Sequence, residues 1–294
     1  MSNNLKQPPD WWAHEVEHWV ELSNFFSSEQ VNQIINKNCW QKLATGQSNY
    51  NYRLVLASKN TDKSYFVQLV NLDNQILLPK VNQLPVLQLL DRYPDLRPWL
   101  VSCHLNTSSV RIFAWIDSSP VSPSNFDNLL FSSMVDFLTQ LHSKKISSSE
   151  IAQYPVINII EHLQKYRRLA LLKAPDSKKQ IEDTYQQAVS LTSNFIANRL
   201  CHNDLSLSNL LWDKQQHQLK VVDWEYACYS DPVMDIAGLL INCHFNEKQE
   251  KHFVENCLPK DYLEQIDLKT SFEKLSGMKQ LFMNLSRLWM FAHN

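Results

Sequence analysis

The chain has 294 residues, 44% of them hydrophobic, with a mean hydropathy of -0.35 and a formal net charge of -2 from 28 Lys and Arg against 30 Asp and Glu. A balance this close to neutral gives no footprint for a polyanion, so nucleic acid is not an expected partner, and no apolar run approaches the ~18 residues of a membrane span. Six scattered cysteines without a C-x-x-C pair, behind an N-terminal stretch with no apolar leader, point to reduced thiols in a cytoplasmic protein.

Residues 10–44 read as helical. Trp12, Val16, Trp19 and Val20 recur at helical spacing, and Ser27 or Ser28 ahead of Glu29 suits a cap for a second segment through Val31, Ile34 and Ile35. The polar loop Thr45-Gly46-Gln47-Ser48-Asn49 holds one of only three glycines, and it serves either as a phosphate cradle or as a simple turn. From Tyr52 the period changes to two, and residues 52–56 and 65–70 predict a β-hairpin. A short helix is expected over 85–93 and a strand over 110–116. Residues 117–125, with Pro120 and Pro123 among serines, read as a linker and divide the chain into domains 1–117 and 118–294.

Beyond the linker, residues 126–142 form an amphipathic helical pattern with Leu130, Met134, Phe137, Leu138 and Leu141 on one stripe. Residues 156–173 and 177–199 predict two more helices. Residues 209–212, a polar turn and residues 219–224 predict a second hairpin, which brings Asn209 and Asp223 together at its open end. Asp231-Pro232 opens a further helix, with aspartate as N-cap and proline as first helical residue.

The chemistry concentrates in that hairpin. His202-x-Asp204 with Asn209, followed by Asp223-x-Glu225, supplies what phosphoryl transfer from a nucleotide needs: a carboxylate for the proton of an attacking hydroxyl, and oxygen ligands for magnesium. Asp204 is the expected base, Asn209 and Asp223 are expected metal ligands, and Glu225, two residues along the same strand face, is expected to take a second metal or its water. The first motif alone arises by chance in about one chain in a hundred of this length.

These residues, His202 to Leu211, Val221 to Ala227 and Asp231 to Ala237, resemble the aminoglycoside phosphotransferase superfamily, and within it the choline, ethanolamine and thiamine kinase-like proteins. Leu138-Thr139-Gln140-Leu141-His142 and residues 45–53 are weaker echoes. The resemblance implies an α+β, two-lobed, protein-kinase-like fold, with a small antiparallel β-sheet lobe that binds nucleotide and a larger, mainly helical lobe. It implies ATP and Mg2+ as cofactors, a small-molecule alcohol as acceptor, His202 as support of the catalytic loop and Asp235 as anchor of that loop's backbone. Gly46, Ser48, Asn49 and Gln68 then fall on the nucleotide side. Trp224, Tyr226 and Trp289 fall beside a cationic acceptor, whose charge aromatic faces suit.

One departure from the kinase pattern is evident. Kinases place a cation on the third strand, paired with a glutamate on the next helix, to hold the donor phosphates. Here that strand position is Gln68, and the only carboxylates in residues 71–94 are Asp73 and Asp91. Lys63 and Lys80 are the candidate substitutes. The sequence therefore supports a kinase of a small, cationic alcohol, with a ligand-binding pseudokinase and an aminoglycoside phosphotransferase as alternatives.

Overall fold

The computed structural model describes residues 26–35, 39–43, 49–58, 62–70, 90, 96, 100–103, 110–122, 126–147, 149, 154–243 and 245–293. Residues 10–25 of the stretch expected to be helical, the loop residues Gly46 and Ser48, the side chain of Asn49, and Lys80 lie outside the described residues, and of the helix expected over 85–93 only Leu90 is described, helical and buried. The chain divides into two compact units, one of residues 1–77 with 99–117 and the other of residues 78–98 with 118–294.

The first unit holds helix α1 (Ser28–Ile35) and strands β1 (Trp40–Lys42), β2 (Asn49–Leu56), β3 (Lys63–Val70), β4 (Leu100–Cys103) and β5 (Val110–Ala114), in an antiparallel sheet of order β1-β2-β3-β5-β4. Alternation along the strands places Tyr52, Leu54, Leu56, Val67 and Ile112 on one face, where they form a buried cluster with Phe26, Ile34 and Trp40. The opposite face receives Asn51, Gln68 and Arg111 in one row, and Arg53, Phe66 and Phe113 in the next. Helix to residue 44 is not what forms. Trp40 instead enters the sheet opposite Leu54, and its buried indole N–H donates to the Ile34 carbonyl at 2.9 Å, so the apolar side chain and its polar atom are both satisfied by the strand.

The second unit comprises β6 (Ser119–Pro120), α2 (Asn128–His142), α3 (Ile159–Lys173), α4 (Lys178–Ser190), β7 (Arg199–Cys201), β8 (Leu210–Asp213), β9 (Gln218–Val221), β10 (Cys228–Ser230), α5 (Pro232–Cys243), α6 (Glu247–Cys257), α7 (Lys260–Ile266) and α8 (Leu268–His293). Caps define several of these. Asp127 accepts from the Leu130 N–H at the start of α2, Asn158 from Glu161 at the start of α3, and Asn246 with Gln249 closes a capping box on α6. The helix expected over 177–199 stops at Ser190. Ser190 and Thr192 hydroxyls donate to the carbonyls of Gln187 and Val189, and Arg199 is drawn into β7 opposite Ser230. Gly238 allows α5 to approach α8 closely, since a Cβ there would lie 2.8 Å from the Phe282 ring.

A buried polar cluster fixes α5, α7 and α8. Asp231 accepts from the N–H of Val233 at 3.1 Å, the N–H of Ile196 at 2.7 Å and the Tyr262 hydroxyl at 2.7 Å, and it pairs with Lys274 at 2.5 Å. Burial holds the Lys274 ammonium below its ordinary pKa, opposed by the Asp231 charge. Removing one member of a buried pair strands the other. Lys274→Met is therefore expected to cost about 2–3 kcal/mol, less than a pair without other donors, because Asp231 keeps three. Thermal melting reads this as a fall of roughly 4–10 °C.

Candidate active site

The residues singled out between 202 and 235 converge at the ends of two short ladders in the second unit. β7 and β10 pair antiparallel with Cys201 opposite Cys228, and β8 and β9 pair with Leu210 opposite Val221. The chain leaves β7 at His202 and enters β8 after a short 3-10 turn at Leu207–Asn209. It leaves β9 at Val221 and reaches β10 through a second such turn at Trp224–Tyr226. The Val222 N–H donates to the Asn209 carbonyl at 2.9 Å, which ties the two loops at the hairpin's open end.

Asp235, on the first turn of α5, holds the first loop from below. Its two carboxylate oxygens accept the backbone N–H of His202 at 2.8 Å and of Asn203 at 2.6 Å, and His142 Nε2 lies 3.2 Å away. His142 is fully buried, with Nδ1 3.2 Å from the Cys257 carbonyl. His142, Cys201 and Asp235 offer ligand atoms within 4.8 Å of one another. However, each histidine nitrogen already faces an acceptor and burial raises the Cys201 thiol well above its ordinary pKa, so hydrogen bonds hold this group. Asn203 sits at φ 63, a left-handed conformation that asparagine tolerates, and its side-chain amide donates to the Tyr226 carbonyl at 3.0 Å.

His202 joins the two loops from inside. Nε2 lies 2.9 Å from the Val222 carbonyl, which can only accept, while Nδ1 receives the Asp204 N–H at 3.3 Å. The two contacts assign a neutral ring with its proton on Nε2. Burial lowers its pKa, opposed by the neighbouring carboxylates of Asp235 and Asp204, in keeping with the neutral form. Trp224 is buried in the core, packed against His202 at 4.7 Å and Phe137 at 6.1 Å, with its indole N–H on the Val221 carbonyl. Its ring therefore supports His202, in place of the expected position beside an acceptor.

Asp204 is partly exposed. The Asn209 amide nitrogen donates to both the carbonyl and Oδ2 of Asp204, each at 2.9 Å. Both partners are acceptors, which fixes the amide's orientation and leaves Asn209 Oδ1 as its acceptor atom. Burial raises the Asp204 carboxyl above the usual carboxylate range, opposed by His202 and the Asn209 hydrogen bond. Asp223 is exposed and left-handed at φ 63, ψ 57, and Glu225 is buried in the turn that follows. The returning strand thus ends at Val221, three residues earlier than expected. Asp223 and Glu225 do not share a strand face as expected, because neither lies on a strand.

An aromatic group stands beside these carboxylates. Tyr166, buried on α3, and Tyr226 are neighbours. Burial first, with smaller contributions from the charges of Glu225 and Asp204, pushes both phenols up, opposed at Tyr166 by its hydrogen bond with Tyr226 and at Tyr226 by the Trp289 indole. Trp289, on α8, is stacked on His293 with ring centroids 3.9 Å apart. Tyr166 and His142 were not among the expected site residues. Their signals in the sequence are a helical tyrosine and a helix-terminal histidine, and only tertiary packing of α3 and α2 brings them here.

In the first unit, Gln68 is 4% exposed, and the guanidinium of Arg111 donates to its side-chain oxygen at 3.1 Å. Lys63, proposed as a substitute cation, is exposed at the far end of β3.

Comparison with known proteins gives the fold and the family. A LicA homolog of Metamycoplasma hominis is 28% identical over 142 residues, 48% of this chain and 53% of that protein. The chain spans about half the length or less of the curated relatives it matches. Among solved structures, choline kinase LicA from Streptococcus pneumoniae superposes with a TM-score of 0.67 at 19% identity, over 95% of this chain and 90% of that one. An ethanolamine kinase from Plasmodium vivax gives a TM-score of 0.67 at 16% identity, over 99% of this chain and 85% of that one. These likenesses show the two-lobed, kinase-like α+β fold. No helix among the described residues is long and apolar enough to cross a membrane. With the phosphotransferase enzyme family matching residues 40–256, well over half of the sequence, the chain belongs to that family.

Proposed function

We propose that the protein is an ATP-dependent kinase that phosphorylates a hydroxyl of a small cationic metabolite of the choline or ethanolamine type. The observation that carries this reading is the Asp204 carboxylate. It is partly exposed, aimed by the Asn209 amide, and set on a loop whose backbone hangs from Asp235. Family membership and the AMP complex of LicA, a structure of the same fold, support a nucleotide as donor.

Asp204 Oδ takes the proton of the acceptor hydroxyl as that oxygen bonds to the terminal phosphorus of the nucleotide and the bond to the leaving oxygen breaks. The raised carboxyl makes Asp204 a better proton acceptor than an ordinary aspartate once ionised. Asn209 Oδ1, the Asp223 carboxylate and the Glu225 carboxylate are hard oxygen donors, the set that magnesium takes. They would hold it, and when bound it neutralises charge on the donor phosphates. Tyr226, Tyr166 and Trp289, with Glu225 and Asp204 nearby, offer aromatic faces and negative charge to a cationic acceptor.

A coupled ADP-release assay over choline, ethanolamine, thiamine and aminoglycosides tests the reading. At least one small cationic alcohol is expected to turn over in the presence of ATP and magnesium. If none is phosphorylated, the proposal is wrong.

A further inference from the structure

We propose that Asn203 is a positioning residue for the acceptor: its side-chain amide holds the turn that carries Tyr226, and so sets the aromatic side of the site relative to Asp204; the inference rests on the kinase reading above. Three connections meet at this residue. Its backbone N–H donates to Asp235 Oδ1 at 2.6 Å, its peptide bond leads directly into Asp204, and its side-chain nitrogen donates to the Tyr226 carbonyl at 3.0 Å, 23 residues further along the chain. The same nitrogen lies 3.3 Å from the Cys228 sulfur, whose thiol burial pushes up to about 12 and so keeps neutral. A carbonyl can only accept, which fixes the amide with its nitrogen toward the Tyr226 turn.

The residue type and the surrounding bonds favour this role over a purely local one. At φ 63 the backbone is left-handed, a region that glycine, asparagine and aspartate enter most readily. Of these three, only asparagine brings an N–H donor to the neighbouring loop. Asp204 itself is held by other bonds. Asp235 accepts the N–H groups of His202 and Asn203, and the Asn209 amide donates to the carbonyl and Oδ2 of Asp204. Loss of the Asn203 side chain therefore leaves the proposed base in place and loosens the turn opposite it. Tyr226 on that turn is partly exposed, stands beside Tyr166 and the Trp289 indole, and feels the charges of Glu225 and Asp204. A cationic alcohol rests its charged end on aromatic faces while its hydroxyl meets the base. The separation of Tyr226 from Asp204 is then a separation within the acceptor, and the Asn203 amide is the bond that spans it.

Steady-state kinetics of the full-length protein test this, with ATP, magnesium and whichever of choline, ethanolamine and thiamine the natural protein turns over fastest. Asn203→Gly keeps the left-handed backbone and the bonds to Asp235 and removes the amide. It is expected to raise the acceptor KM about three- to tenfold, the worth of one neutral hydrogen bond, with kcat and the KM for ATP changed by less than about twofold. In a Tyr226→Ala background the same substitution is expected to lower kcat/KM for the acceptor by less than about twofold, because the ring it positions is gone. A structural role alone would shift kcat and both KM values together, and would persist in that background. Melting curves check the fold. Should Asn203→Gly not fold, Asn203→Asp decides, since it keeps the shape without the donor and its added negative charge alone would favour a cationic acceptor: a raised acceptor KM supports the assignment, and an unchanged or lowered one overturns it. If neither variant folds, Asn203 is a structural residue and the assignment falls. Asn203→Gly with an unchanged acceptor KM, with kcat and ATP affinity falling alike, or with an undiminished effect beside Tyr226→Ala overturns the assignment while the kinase reading stands. A natural protein that phosphorylates none of the three acceptors overturns both.

Discussion

Asp204→Asn is expected to lower turnover about 10³-fold and, in protein freed of metal with EDTA, to raise the melting temperature. The first effect is the removal of a positioned base, a contribution of roughly 10²–10⁴ in rate. The Asn209 amide can still donate to the new side-chain oxygen as it does to Asp204 Oδ2 at 2.9 Å, so the loop keeps its geometry and the loss falls on kcat more than on KM. The second effect follows from the sign of the pKa shift. Burial raises the Asp204 carboxyl, so the folded state disfavours the ionised form. The resulting cost is absent below the ordinary carboxylate pKa of about 3.9 and grows as pH rises through the higher folded value. Asparagine carries no charge to desolvate. At neutral pH the variant should melt higher than the natural protein, and the advantage should vanish in acid. A variant that is fully active, or one that melts lower at neutral pH than at acid pH relative to the natural protein, would show that Asp204 is neither the base nor strained by burial.

That the residues proposed for catalysis lie together was legible in the sequence because the motif is local. His202, Asp204 and Asn209 occupy eight consecutive positions, and the hairpin signals on either side were enough to bring Asp223 beside them, as the Val222–Asn209 backbone bond shows. What failed was the extrapolation of period two past Val221. Asp223 adopts a left-handed conformation, and no residue type near it announces that the strand has ended. Trp224 illustrates a second limit: an aromatic next to a motif looks the same whether it faces a ligand or, as here, props a histidine from the core. His142 and Tyr166 were missed for a third reason. Each comes to its neighbours over a long stretch of chain, 93 residues from His142 to Asp235, and single-sequence spacing carries no record of such pairings. The fold class survived these errors because it depends on element types and their order, and a helix ending nine residues early at Ser190 does not alter either.

Asp235→Ala tests whether the loop's suspension matters to chemistry beyond its contribution to stability. The alanine leaves the His202 and Asn203 N–H groups, now held at 2.8 and 2.6 Å, without acceptors and strands the buried His142. Buried donors without partners cost about 1–3 kcal/mol each, and breaking a buried ionic or strongly polar pair costs about 3–5 kcal/mol. A loss of about 3–5 kcal/mol is therefore expected, a fall of roughly 6–15 °C in melting temperature. Destabilisation alone does not distinguish an anchor from any buried residue, and Lys274→Met provides the comparison. Lys274 lies in the separate Asp231 cluster, and its loss should lower the melting temperature by a similar order while leaving kcat of the folded fraction intact. Asp235→Ala, assayed well below its melting point, should lower kcat about 10²-fold as well, because displacement of a reacting group by about 1 Å costs that much. The binding of ATP should change far less, since Asp235 acts through the loop that carries Asp204. If both variants lose stability and neither loses kcat, Asp235 is a structural residue only, and the position of Asp204 is set by Asn209 and His202.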